Sequence, residues 1–292
     1  MLPRRQGLEY GNDAMLPLVP IVALVLLLRA PALHAAEVDF KQVGTIRPAG
    51  VRESSGVAPC RFDPQIFWTQ TDGRKPVLFA MDRQGGSHGQ VVVDVALNDW
   101  EDLASDHAGH LYIADTGNNG AVRTQLAVHQ IDEPDPKSLP SRIKTTQSWT
   151  LTFPKEPFDC ESLFIWQGHG YVISKIFNNG KASLYRFPLT PSSKPVMLER
   201  VSKLKIESPV TSASLSLDGL KMAVLTKNGP GVLDMSGDWK LLSQVKPTWT
   251  KFKHEHAEGC CFVPEGLLVT TESREIYLFS GLPFQTASPA RQ

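Results

Sequence analysis

One-signed charge is missing from this sequence: lysine plus arginine and aspartate plus glutamate stand at 30 each in 292 residues. No global field is therefore available to hold nucleic acid or to steer acidic substrates, and polyanion binding would need a local patch. Cysteine is scarce. The four present, Cys60, Cys160, Cys260 and Cys261, contain no CxxC pair, which removes the usual zinc spacings. They are compatible with disulfides in any of three pairings, or with small buried side chains. Also lacking are a GxSxG elbow, so that Ser55-Gly56 does not read as a serine nucleophile, and an HExxH helix, so that His254-Glu255-His256-Ala257-Glu258 does not read as a zinc pair. Helical periodicity is nearly absent beyond residue 36.

Long hydrophobic runs are confined to the N-terminus. Arg4 and Arg5 precede an apolar stretch from Leu16 to Leu28, which ends in Pro31-Ala32-Leu33-His34-Ala35-Ala36. That is the layout of a secretory signal with cleavage near Ala35 or Ala36, and the run is shorter than the about 20 apolar residues of a comfortable span. Met15 is an alternative start that would lack the basic segment. The reading is a signal peptide over 1–36, a folded domain over 37–283 and a tail over 284–292, exported to the periplasm or beyond with no membrane span after cleavage.

What the rest contains is strand grammar: apolar runs of four to eight residues broken by Gly, Asn, Asp and Pro, such as Val77-Leu78-Phe79-Ala80, Leu111-Tyr112-Ile113 and Met222-Ala223-Val224-Leu225. The chain also repeats. Glu53-Ser54-Ser55-Gly56-Val57, Asp99-Trp100-Glu101-Asp102-Leu103, Asp159-Cys160-Glu161-Ser162-Leu163, Val210-Thr211-Ser212-Ala213-Ser214 and His256-Ala257-Glu258-Gly259-Cys260 align, each opening a strand. Their central residues recur every 46 to 60 positions, near the length of a four-stranded propeller blade. An all-β, five-bladed β-propeller follows, with the strand from Val38 to Ile46 supplying the outer strand of the last blade. The six-bladed alternative needs a blade shorter than this spacing. Trp100, Trp149, Trp166 and Trp239 are spaced as blade packing.

In such a fold the five central residues ring one mouth of the channel, together with Thr71-Asp72, Asp115 to Asn119, Lys175 with Asn178-Asn179, Thr226-Lys227-Asn228 and Thr271-Glu272. Three glutamates facing one axis need a compensating cation. Carboxylate and hydroxyl oxygens in a roomy ring suit calcium, so Ser55, Glu101, Glu161, Ser212 and Glu258 are the expected metal ligands. Lys175, Lys227, Asp115 and Asn119 are the expected substrate contacts, and Glu101, Glu161 or Glu258 the candidate catalytic base. The Asn-Gly pairs at Gly117-Asn118-Asn119-Gly120 and Asn178-Asn179-Gly180 read first as turns.

Two resemblances rest on these residues. The order Ser, Glu, Glu, Ser, Glu, one per blade, resembles the central calcium site of the five-bladed calcium-activated nucleotidases, the apyrase family. The run Trp100-Glu101-Asp102-Leu103-Ala104 with Leu111 to Asn119 resembles largely uncharacterised secreted bacterial propellers of the phytase-like esterase or NHL-like type. What the two imply is an exported propeller whose central face, with calcium, binds a small-molecule or protein ligand. The alternative they imply is a calcium-dependent hydrolase of phosphate or ester substrates.

Overall fold

The computed structural model describes residues 38–71, 73, 75–177, 180–207 and 209–286. The expected signal peptide over 1–36, Asp72, Asn178-Asn179 and the end of the tail lie outside the described residues. Among the described residues, twenty-two strands run in chain order, with one short 3-10 helix at Trp239–Gln244. β1 (Asp39–Thr45) comes first. The first blade is β2 (Ser54–Pro59), β3 (Ile66–Thr71), β4 (Val77–Asp82) and β5 (Ser87–Asp94). The second is β6 (Trp100–Ser105), β7 (His110–Asp115), β8 (Gln125–Asp132) and β10 (Gln147–Thr152), with β9 (Arg142–Lys144) in its outer connection. The third is β11 (Phe164–Trp166), β12 (His169–Ile173), β13 (Ser183–Pro188) and β15 (Glu199–Lys203), with β14 (Val196–Met197) likewise outside. The fourth is β16 (Val210–Leu215), β17 (Lys221–Thr226), β18 (Gly229–Asp234) and β19 (Thr248–Trp249). The last is β20 (Ala257–Val263), β21 (Gly266–Thr271) and β22 (Glu275–Ser280).

Five sheets result among the described residues, so the architecture is the five-bladed propeller and not the six-bladed one. Its closure is the expected one: β1 pairs antiparallel with β22, Phe40 opposite Phe279, and completes the last blade. Two outer edges receive an addition that has no strand pattern in the sequence. β9 pairs parallel with β5 of the preceding blade, and β14 pairs parallel with β10. Each covers a row of backbone groups that would otherwise template pairing with another chain.

The period of two explains the packing. Successive residues of a strand face opposite sides of its sheet, and here each side meets a neighbouring blade. Phe67 packs between the last and first blades while Trp68 packs between the first and second. Ile113 joins that second cluster and Tyr112 the next one round, with Trp149 and Phe187. Phe164, Tyr171 and Met222 fill the following interface, and Ala223, Phe252 and Phe279 the one after it. Five interfaces separate five blades. Each fully buried large side chain contributes about 1.5–3 kcal/mol by leaving water, and the set closes the ring without a helix. Trp100 and Trp149 are buried as expected, whereas Trp166 and Trp239 are half-buried at the edge of their cluster. The four cysteines are buried and form no disulfide.

Candidate functional site

The inner strands β2, β6, β16 and β20 all break register at the same place. In β6 the pairs Trp100–Asp115 and Asp102–Ala114 leave Glu101 as an extra residue, and in β20 the pairs Ala257–Thr271 and Gly259–Thr270 leave Glu258. In β2 two residues, Ser55 and Gly56, stand opposite the single Gln70. A bulge re-aims its side chain out of the regular alternation, which is how these residues leave the sheet faces. In the third blade a lone bridge, Asp159–Lys175, stands ahead of β11, and Glu161 lies between them. The fourth blade differs from the spacing argument by one residue. The pairs Val210–Thr226 and Ser212–Leu225 place Thr211 at the bulge, so Thr211 is the register equivalent of Glu101 and Ser212 lies one step further down.

Ser55, Glu101, Glu161, Thr211, Ser212 and Glu258 are all buried. Two stitch neighbouring blades: Ser55 Oγ donates to the Glu101 carbonyl at 2.8 Å, and Thr211 Oγ1 to the Ala257 carbonyl at 2.9 Å. Thr116 Oγ1 does the same to the Cys160 carbonyl at 2.7 Å. The residues that follow the second strands form a second tier, Thr116, Lys175, Lys227 and Glu272, in the register set by the same pairs. The lysines of this tier meet the glutamates of the first. Lys175 Nζ is ion-paired with Glu161, and Lys227 Nζ lies 3.8 Å from Glu258 Oε1.

The carboxylates of this face outnumber its ammonium groups. Burial pushes Glu161 up to about 7 against the opposing pull of Lys175. Burial, with the charges of Glu161 and Glu272, pushes Glu258 up to about 8. Lys175, which burial alone would lower, is held above its ordinary value by Glu161, Asp159 and Glu258. Asp159 accepts the Asn118 and Cys160 amide hydrogens through Oδ1, at 2.7 and 2.9 Å. Its Oδ2 and Glu161 Oε2 are buried without a hydrogen-bond partner. Gly117 makes room for two more acids, since a Cβ there would stand 2.3 Å from both an Asp99 and a Glu101 carboxylate oxygen.

The other expected residues are placed as follows. Asp115 is fully buried behind the face: it accepts from the Asn98 amide at 2.9 Å, the Asp99 amide at 3.1 Å and Arg123 Nη2 at 2.9 Å, and so braces the loop. Asn119 is exposed in that loop. Its neighbour Asn118 is the turn residue, clasping the Arg123 backbone at both ends of its amide. His256 contacts Glu272 at 2.8 Å. Among the described residues no three His, Cys, Asp or Glu side chains stand together as a metal-holding group.

Sequence reasoning missed the layer beneath the ring. There the inner strands contribute Gly56, Asp102, Ser162, Ser212 and Gly259, and Asp102 is wholly buried. Its carboxyl accepts the Leu103 and Leu163 amide hydrogens, each at 2.9 Å, and faces Ser212 Oγ at 3.2 and 3.3 Å, while Ser212 Oγ accepts from the Cys260 amide at 3.1 Å. Burial pushes Asp102 well above the ordinary carboxylate range. Three blades meet at this carboxyl, and Ser212 extends the link to a fourth. The available signal was that all five copies carry a small or polar residue after the ring position. On the far side of this layer the channel widens into a cavity of about 610 Å³, walled by Val57, Leu103, Leu163, Ile165, Leu215 and Phe262.

No protein-family model and no curated protein matches the chain. Its backbone is similar to solved structures. One is a chain of a nidogen/laminin complex, 10% identical over 86% of this chain and 100% of that one, with a TM-score of 0.48. Another is virginiamycin B lyase from Staphylococcus aureus, at 9% identity, 84% and 99% coverage and a TM-score of 0.46. A third is a glucose-dehydrogenase-type oxidoreductase from Thermus thermophilus, at 11%, 83% and 100%, and 0.45. Likeness at this level says nothing about a ligand. No helix among the described residues is long and apolar enough to cross a membrane.

Proposed function

We propose that this protein is an exported binding module whose ring face takes a hard divalent cation, calcium, and presents it to a small-molecule or protein ligand. The observation that carries the reading is the pair of buried, partnerless oxygens, Glu161 Oε2 and Asp159 Oδ2, on a face where acids exceed lysines. A buried acceptor without a partner costs about 1–3 kcal/mol, more for a charged group, and an oxygen-seeking cation would remove that cost. The donor chemistry fits calcium, which accepts six to eight oxygens in loose geometry. The ligand set differs from the one read in the sequence. Ser212 lies in the layer below, facing Asp102 and accepting the Cys260 amide hydrogen, and Ser55 Oγ is turned to the Glu101 carbonyl, so Asp159, Glu161 and Glu258 would hold the ion, with Glu101 and Asp99 beside them. The residues over 1–36 support export by their signal layout.

The test is calorimetric titration of the chelator-treated protein with calcium, together with thermal melts in calcium and in chelator. Saturable binding with a raised melting temperature is expected. Unchanged melts and no heat would remove the reading. A second reading, hydrolysis of phosphate or ester substrates, is favoured by Glu161 and Glu258 titrating near neutrality beside two lysines. It requires turnover that Glu161→Gln abolishes while the fold survives.

A further inference from the structure

The acids of the ring do not converge on an empty point, because an ammonium group already stands among them. Lys175 Nζ is ion-paired with Glu161, both side chains being about nine-tenths buried, at 11% and 7% exposure. It also feels the charges of Asp159 and Glu258, which are the other two carboxylates proposed to hold the ion. A monovalent internal cation thus already stands against one of the acids proposed to hold the ion and within the field of the other two, on a face where no three acid side chains among the described residues stand together. It satisfies only part of the demand, since Glu161 Oε2 and Asp159 Oδ2 keep no partner.

The same ammonium also borders the open face. The aromatic ring of Phe177, two residues along, lies 5.7 Å from Lys175 Nζ, within the range of a cation–π contact, and Phe177 is 55% exposed. The Lys175 backbone need not follow, because its amide is tied to the Asp159 carbonyl at 2.8 Å. One seat thus places the ammonium between the buried acids and an exposed ring, so that turning outward along that ring would not require unfolding the blade.

We infer that Lys175 is a built-in competitor for the cation site: it plugs the ring in the cation-free protein and turns outward, along the exposed ring of Phe177, when a divalent cation enters. This rests on the reading of the ring as a cation site, and the experiment separates the two. Calcium affinity is measured by calorimetry for the wild type, Lys175→Met and Lys175→Arg. Removing the competing charge should tighten binding at least tenfold in Lys175→Met, while Lys175→Arg, which keeps a permanent charge, should bind no more tightly than the wild type. Lys175 in the wild type should also resist an amine-acetylating reagent in chelator and become labelled on addition of calcium, as read by peptide mass spectrometry. That readout holds even if a variant fails to fold.

Equal affinities in wild type and Lys175→Met, or labelling that calcium leaves unchanged, would overturn the competition while leaving the cation site standing. Binding by Lys175→Met alone would uphold the plug and overturn calcium as the wild-type ligand. No binding by any variant would overturn both.

Discussion

Gly56→Ala tests the convergence of the inner strands on one axis. A Cβ at Gly56 would stand 2.5 Å from both the Cα of Asp102 and the amide nitrogen of Leu103. Ordinary carbon contacts lie near 3.5–4.0 Å, so β2 and β6 would have to part by roughly 1 Å. Neither obstacle is a side chain that could rotate away. Both are backbone in a strand held on its other edge by β7, and any movement also disturbs the Asp102 bonds to Leu163 and Ser212. Overpacking of a close-packed interior costs about 1–3 kcal/mol, and rigid obstacles put this case at the upper end. For a domain of this size each kcal/mol moves the melting temperature by about 2–4 °C, so a fall of roughly 6–12 °C is expected. The assay is a thermal melt followed by circular dichroism, with Gly237→Ala as control. A Cβ at Gly237 meets nothing within 4 Å, and that variant should stay within about 0.5 kcal/mol of the wild type. A Gly56→Ala protein that melts with the wild type would refute the close approach of the first two blades, and with it the closed axis.

Glu258, held up to about 8 by burial, gives the fold a definite pH slope. The unfolded chain releases this proton near 4.5 and the folded protein keeps it to about 8, so stability is full below that window and falls as pH rises through it, by at most about 1.4 kcal/mol per unit. Asp102 adds a slope of the same sign. Denaturant titrations from pH 5 to 8 should show the decline, and Glu258→Gln should flatten part of it; a wild type whose stability rises over this range contradicts the assignment. The four thiols are buried, and burial pushes Cys60 up to about 11 and Cys261 up to about 12. A thiol-specific reagent should therefore label none in the native protein and all after unfolding, and fast native labelling would be inconsistent with the packing. Removing residues 38–45 takes away β1 and its stack of Phe40 on Phe279, with ring centres 5.1 Å apart. The shortened chain should melt broadly and at least about 10 °C lower by the same scaling, whereas an unchanged midpoint would mean that β1 does not close the ring.

The blade count was legible because each of its signals is local. Alternation along Ile66-Phe67-Trp68 or Leu111-Tyr112-Ile113 states that both faces are buried. The recurring segment then states how often the chain returns to the axis. What had no local signal was β9 and β14, whose two or three paired residues gain their strand character from the edge they cover.

The site was legible only in outline, and the misreadings share one cause. Spacing along the chain counts residues, whereas a bulge inserts one, so a motif aligned by residue type slips where the type at the bulge changes. In the fourth blade the bulge holds Thr211, and the eye takes the next residue, Ser212, because serine matched Ser55. The slip matters because the two positions do opposite work: Thr211 ties its blade to the next at the ring, and Ser212 meets Asp102 at the axis. Asp102 itself was invisible for a related reason. An acid beside Glu101 carries no local mark of burial, because Gly56, which lets the two backbones come close, and Ser212, which meets its carboxyl, lie 46 and 110 residues away in the chain. A buried carboxyl of that kind is specified by what its neighbours lack, and the chain order of a closed ring keeps those neighbours far apart.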